Sequence, residues 1–177
     1  MTEKLFYEDS HRTEFTAKVI SCEEAKDGFC VVLDQTAFFP EGGGQYADTG
    51  ILGNTEVTDV HEKNDVIFHS VTAPLEVGSI VSGKINWKER FEKMQQHTGE
   101  HIVSGIVHER FGYNNVGFHL GADYCTMDFD GPISKAQLKE IEIAANEAVY
   151  RNLEVEVLYL SLIHISEPTR RTPISYA

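Results

Sequence analysis

Residues 88–111 read KERFEKMQQHTGEHIVSGIVHERF, and this stretch divides the chain into two kinds of pattern. Its periodicity is helical, with Phe91, Met94, Thr98, Ile102 and Gly105 expected on one face. Gly112 follows at a C-cap position. Before Trp87 the rhythm is that of strands. Residues 15–20 and 29–33 are short β-rich runs separated by a polar, turn-like stretch at 23–28. Residues 55–61, 66–71 and 79–85 continue the pattern, with turn signals at 63–65 and 76–78. Several short strands at this spacing predict a small barrel or a strongly curved sheet.

Beyond Gly112, residues 116–120 and 124–129 read as short strands, and Asp130, Gly131 and Pro132 make a turn. Ser134 opens a second helix. Gln137 stands three residues on, at capping-box spacing, and Ile133 precedes the cap. Leu138, Ile141, Ala145, Ala148 and Val149 form its expected buried stripe, and Asn152 is placed to end it. Alternation over residues 153–157 reads as a further strand. The fold class expected is α+β.

Composition narrows the function classes. The 177 residues are 41% hydrophobic, enough for one ordinary core or two small ones. No apolar run reaches the length of a membrane span, and the first ten residues lack the basic and apolar regions of a signal peptide. Cys22, Cys30 and Cys125 include no CxxC pair, which points to a reducing, cytoplasmic compartment. The formal net charge of −13 argues against a self-sufficient nucleic-acid binder, because affinity for phosphates comes mostly from Lys and Arg.

Two motifs carry chemistry. In His97-Thr98-Gly99-Glu100-His101 the histidines stand at i and i+4, stacked on one helix face, where two imidazoles can share a metal ion. The string also fits H-x-x-E-H, the inverted zinc-peptidase motif, in which Glu100 would be the general base acting on a metal-bound water. That alternative needs a further acidic ligand downstream, and none can be placed. His108 reads as a surface residue and His119 as a structural one. The second motif is TAFFPEGGGQ, residues 36–45. Gly42, Gly43 and Gly44 permit backbone conformations closed to other residues and let a ligand approach main-chain N–H groups. Gln45 adds a side-chain amide that donates and accepts. Phe38, Phe39 and Phe118 read as packing residues.

TAFFPEGGGQ, then Asp48 and Gly50, then QQHTGEH, GFHLG and a DFD at 128–130 together resemble the alanyl-tRNA editing family, over residues 4–159. That family comprises free-standing editing proteins and the editing domain of alanyl-tRNA synthetase. The resemblance implies a small N-terminal β-barrel over residues 1–87. A mixed α/β editing domain of the kind shared with threonyl-tRNA synthetase would follow over 88–159. It implies one Zn2+, held by HxxxH and a later Cys-x-x-x-His pair. His97 and His101 match the first half; the second half has no counterpart, since Phe129 stands four residues after Cys125. The editing domain is therefore expected to be incomplete, with Cys125 and His119 the remaining donors that could contribute. The implied reaction is hydrolysis of the aminoacyl ester of alanine tRNA wrongly charged with serine or glycine. Thr36, Gly42, Gly43, Gly44 and Gln45 are the expected substrate contacts, and Glu100 a possible base. The open alternatives are the same module within alanyl-tRNA synthetase, the inverted zinc peptidase, and a tRNA- or metal-binding relic without catalysis. Met1 standing so close to the barrel favours the free-standing form.

The end of the chain has a separate character. Residues 160–170, LSLIHISEPTR, resemble the in-frame translation of a transposase-type sequencing adapter, and ISYA at 174–177 resembles the start of the next adapter segment. Residues 160–177 are therefore expected to be non-native, with the natural chain continuing past Tyr159.

Overall fold

A computed structural model of the chain describes residues 1–121 and 124–155. The chain is α+β, with mostly antiparallel strands and two α-helices among the described residues. It divides into two compact units. One comprises Met1–His97 with His119–Cys125; the other comprises Thr98–Phe118 with the chain from Thr126 onward. The adapter-like segment lies outside the described residues.

In the first unit, strands β1 (Glu3–Lys4), β2 (Glu14–Ala25), β3 (Gly28–Leu33), β4 (Gln35–Thr36), β5 (Gly50–Leu52), β6 (Thr55–Lys63), β7 (Val66–Val71) and β8 (Ile80–Ile85) precede the first long helix. Six of them close in the order β2-β3-β7-β6-β5-β8, every neighbouring pair antiparallel. β1 pairs with β4 in parallel. Side chains alternate across a strand, so Phe15, Ala17 and Val19 of β2 point inward. There they meet Val31, Leu33, Leu52, Val57, Val60, Ile67, Val71 and Ile85 in one apolar cluster. The register shifts between Val57 and Asp59 of β6, which lets Val60 as well as Val57 face the core.

The turn expected at 23–28 is shorter than its composition suggests. β2 runs on through Ala25, where Cys22, Glu23 and Glu24 pair with Val31, Cys30 and Phe29, and only Lys26 and Asp27 turn. Pairing along a long two-stranded ribbon outweighs the weak strand preference of polar residues. The turn at 64–65 is as the sequence predicts: Asn64 and Asp65 both have positive φ, as a two-residue type I′ hairpin requires.

Helix α1 (Trp87–Phe111) is continuous, and Gly112, at φ +71°, ends it with its N–H on the His108 carbonyl. Its buried face is not the one that carries Phe91. The buried positions are Arg90, Glu100 and Val107, and Phe91 is 40% exposed. The first turns are drawn in by polar bonds rather than by apolar area: Glu89 accepts from Thr49, Arg90 engages Asp48, and Lys93 donates to the Ala47 carbonyl.

β9 (Asn115–Leu120) and β10 (Cys125–Phe129) form a two-stranded sheet, and α2 (Lys135–Tyr150) follows. Both halves of the capping box are made. Gln137 N–H donates to Ser134 Oγ, and Ser134 N–H donates to Gln137 Oε1. Asn152, at φ +46°, stands just past the end. The expected stripe of α2 is buried only at Ile141; Leu138 and Val149 are 53% and 62% exposed. Residues 153–155 carry no strand, and the rest of the strand expected at 153–157 lies outside the described residues.

Candidate functional site

The loop between β4 and β5 carries the glycine motif, and its geometry accounts for two of the three glycines. Gly42 N–H donates to the Gln45 carbonyl and Gln45 N–H to the Gly42 carbonyl, both at 3.0 Å. Gly43 and Gly44 turn the chain between them at φ +59° and +81°. Two consecutive positive φ values define a type I′ turn, which side chains other than Asn or Asp rarely allow. The motif is thus a closed hairpin tip, and its outer amides are spent within the turn.

This tip lies against α1. A Cβ built on Gly43 would stand 3.7 Å from Cε1 of His97. The Gln45 side chain is buried, with Oε1 3.2 Å from His97 Nδ1. Next to it, the half-exposed Tyr46 meets the ring of His119 edge-on, with centroids 6.3 Å apart. Cys125 Sγ is 3.6 Å from Gln96 Oε1. The two sequence motifs, 52 residues apart, therefore meet through Gln45 and His97.

On α1 itself, His97, Glu100 and His101 present ligand atoms within 4.8 Å of one another. Glu100 is buried and has three polar partners. Its Oε2 is 3.1 Å from His101 Nδ1, while its Oε1 accepts from Ser104 Oγ at 2.5 Å and Asn115 Nδ2 at 2.7 Å. Each histidine thus has Nδ1 against an oxygen, a contact that favours the proton on Nδ1 and the lone pair on Nε2. An acceptor behind Nδ1 with Nε2 as donor atom is the usual arrangement of metal-binding histidines. Two imidazoles on one helix face with a carboxylate beside them are donor types that a divalent transition metal takes.

Thr36 sits deeper than its place in the motif suggests. It is fully buried, with Oγ1 2.9 Å from Nε2 of His69 and accepting from Phe38 N–H at 3.1 Å. His69, on β7, is equally buried, and its Nδ1 lies 3.1 Å from the Val31 carbonyl. Desolvation lowers its pKa to about 4, so the ring is neutral at pH 7. Val31 then holds the Nδ1 proton, and the Thr36 hydroxyl donates to Nε2. His69, Arg90 and Asn115 escaped the sequence reading. Each acts through a partner distant in the chain, and only Asp48, within the recognised motif, hinted at such a partner.

Residues 2–89 match the family described as class II tRNA synthetases (A). The chain is also 34% identical over 168 residues to the alanyl-tRNA editing protein Aarsd1 of Rattus norvegicus, covering 87% of this chain and 41% of that one. The alanyl-tRNA editing protein AlaX-L of Pyrococcus horikoshii is 32% identical over 164 residues, 89% of this chain and 41% of its own. Over most of its own length the chain is similar to alanyl-tRNA editing proteins. It is similar as well to the alanine–tRNA ligase of Pyrococcus furiosus, at 41% identity over 87% of this chain and 18% of the ligase. The chain thus spans about two fifths of the editing proteins it matches. Among the described residues no helix is long and apolar enough to cross a membrane.

Proposed function

We propose that the chain supplies the barrel and the two-histidine part of a zinc-dependent aminoacyl-tRNA deacylase. It would act in trans, in the cytoplasm, on alanine tRNA wrongly charged with serine or glycine. The observation that carries this reading is the meeting of Gln45 and His97, in a chain related to the alanyl-tRNA editing proteins. In this reading residues 1–87 are a barrel domain, and residues 88–159 belong to an editing domain of the kind shared with threonyl-tRNA synthetase.

The reaction cleaves an ester. Water adds to the carbonyl carbon, the bond to the ribose oxygen breaks, and amino acid and tRNA part. His97 and His101 would hold the zinc, which when bound supplies Lewis-acid chemistry for an ester carbonyl or a water. Gln45 holds the His97 ring, and Glu100 holds the His101 ring. Glu100, bonded by Ser104 and Asn115, thus serves His101 first; any role as a base would have to be taken from a carboxylate already engaged. Gly43 and Gly44 shape the wall beside His97. In this reading their amides, rather than those of Gly42 and Gln45, would meet a substrate oxygen. Thr36 shapes the pocket from behind, through the loop that it and His69 anchor.

The test is release of serine from serine-charged alanine tRNA by this chain with zinc supplied, beside alanine-charged tRNA and a His97→Ala chain. Selective release that His97→Ala abolishes supports the reading. Release that survives the substitution contradicts it. A second reading, the editing module of an alanine–tRNA ligase, is favoured by the 41% identity to the Pyrococcus furiosus ligase. Alanine-dependent exchange of pyrophosphate into ATP by the full-length gene product would establish it.

A further inference from the structure

The glycine loop and the histidine helix are joined by more than the Gln45–His97 contact. Arg90 lies on α1 about two turns before His97, and its guanidinium enters the neck of the loop. Nε is 2.9 Å from each carboxylate oxygen of Asp48. Nη2 donates to Asp48 Oδ2 and, at 2.6 Å, to the Ala37 carbonyl. Nη1 donates to the Ser10 carbonyl at 2.9 Å. Asp48 Oδ2 also accepts from Phe39 N–H at 2.6 Å, and Asp48 N–H donates to the Phe39 carbonyl at 3.0 Å. One cation therefore grips both ends of the loop, at Ala37 and at Asp48, and both its side chain and that of Asp48 are buried.

A buried ion pair is a poor device for stability alone, because desolvating both charges offsets much of their attraction and an apolar pair of similar volume often serves as well. A planar fork meeting several fixed acceptors instead specifies direction, which an apolar pair or a lysine does not. The direction specified here is that of the loop relative to α1. Lys93, one turn further along, bonds the adjacent Ala47 carbonyl at 2.7 Å and extends the same grip toward His97.

We propose that Arg90 is a positioning residue for the site. Through Asp48 and Ala37 it sets the loop so that Gln45 Oε1 faces Nδ1 of His97, and thereby fixes the ring as the Nδ1–H tautomer with Nε2 as its basic nitrogen. The proposal rests on reading His97 and Gln45 as working parts of the site. Its test requires neither RNA nor metal, so it can fail while the deacylase reading stands, and the reverse.

Long-range 1H–15N correlation spectra of the metal-free 177-residue chain report the tautomer of each histidine. Wild type is expected to show His97 as Nδ1–H. Arg90→Lys, which keeps the charge and loses the fork, is expected to shift His97 toward the Nε2–H form that free histidine favours. His69 should stay Nδ1–H on the Val31 carbonyl, which verifies an intact barrel. An Arg90→Lys chain with both signals as in wild type would overturn the proposal. If Arg90→Lys loses the His69 signal, Asp48→Asn decides instead, since there Arg90 retains the Ser10 and Ala37 carbonyls. A His97 shift with His69 unchanged then supports the clamp, and any other result rejects it.

Discussion

His69 shows how one buried side chain can make the first unit sensitive to acid. Its imidazole fills the interior beside Phe38, bonded at both nitrogens and shielded from water. Burial lowers its pKa from 6.5 to about 4, with His61 adding a smaller push in the same direction. The unfolded chain therefore binds more protons than the folded one between those values. Stability from this group is complete above about pH 6.5 and declines as pH falls toward 4, by about 3 kcal/mol in all. Urea unfolding at pH 7 and pH 4.5 tests this against His69→Gln, which cannot titrate. Wild type should lose more stability than His69→Gln over that interval; an equal loss in both would refute the assignment. The same pair explains why Thr36, an apparent pocket residue in the motif, faces inward. Its hydroxyl satisfies a buried nitrogen that would otherwise lack a donor, and a single sequence gives no sign of which strand will deliver that nitrogen.

The hairpin tip of the glycine loop separates the three glycines by conformation. Gly43 and Gly44 stand at positive φ, whereas Gly42 does not. Gly44→Ala should thus cost about 1–2 kcal/mol, the penalty of a Cβ in the left-handed region. Gly42→Ala, where an added Cβ would meet only the Pro40 carbonyl at 3.9 Å, should be nearly neutral. Urea midpoints distinguish them, and equal effects would show that the tip is not a type I′ turn. Signals confined to a few residues were readable beforehand. The capping box at Ser134 and Gln137, the Asn64–Asp65 turn, the Gly112 stop and the i, i+4 histidines each depend on neighbours within one turn. What was not readable depends on partners far along the chain. The helical rhythm of α1 marks a face through Phe91, but Arg90 turns the helix toward Asp48, 42 residues away in sequence. The stripe on α2 is regular in sequence, yet a regular stripe does not say what will cover it, and only Ile141 is buried.

The strands of the first unit and the first turns of α1 hold one loop in place, and that loop carries the side chain that meets His97. The relatives that match this chain are alanyl-tRNA editing proteins and alanine–tRNA ligases, and in each the matching region is less than half of the whole. With a net charge of −13, the chain is poorly suited to hold RNA by its phosphates, and the contribution proposed for it is to the chemistry of the ester. That contribution requires the glycine loop and the histidine helix to work as one site. A double-mutant cycle on Gln45→Ala and His97→Ala, read as serine release from serine-charged alanine tRNA, tests this most directly. Strong coupling is expected, with the double variant no slower than the more damaged single one. Losses that multiply independently would mean that the two motifs, though adjacent, do not form one functional unit.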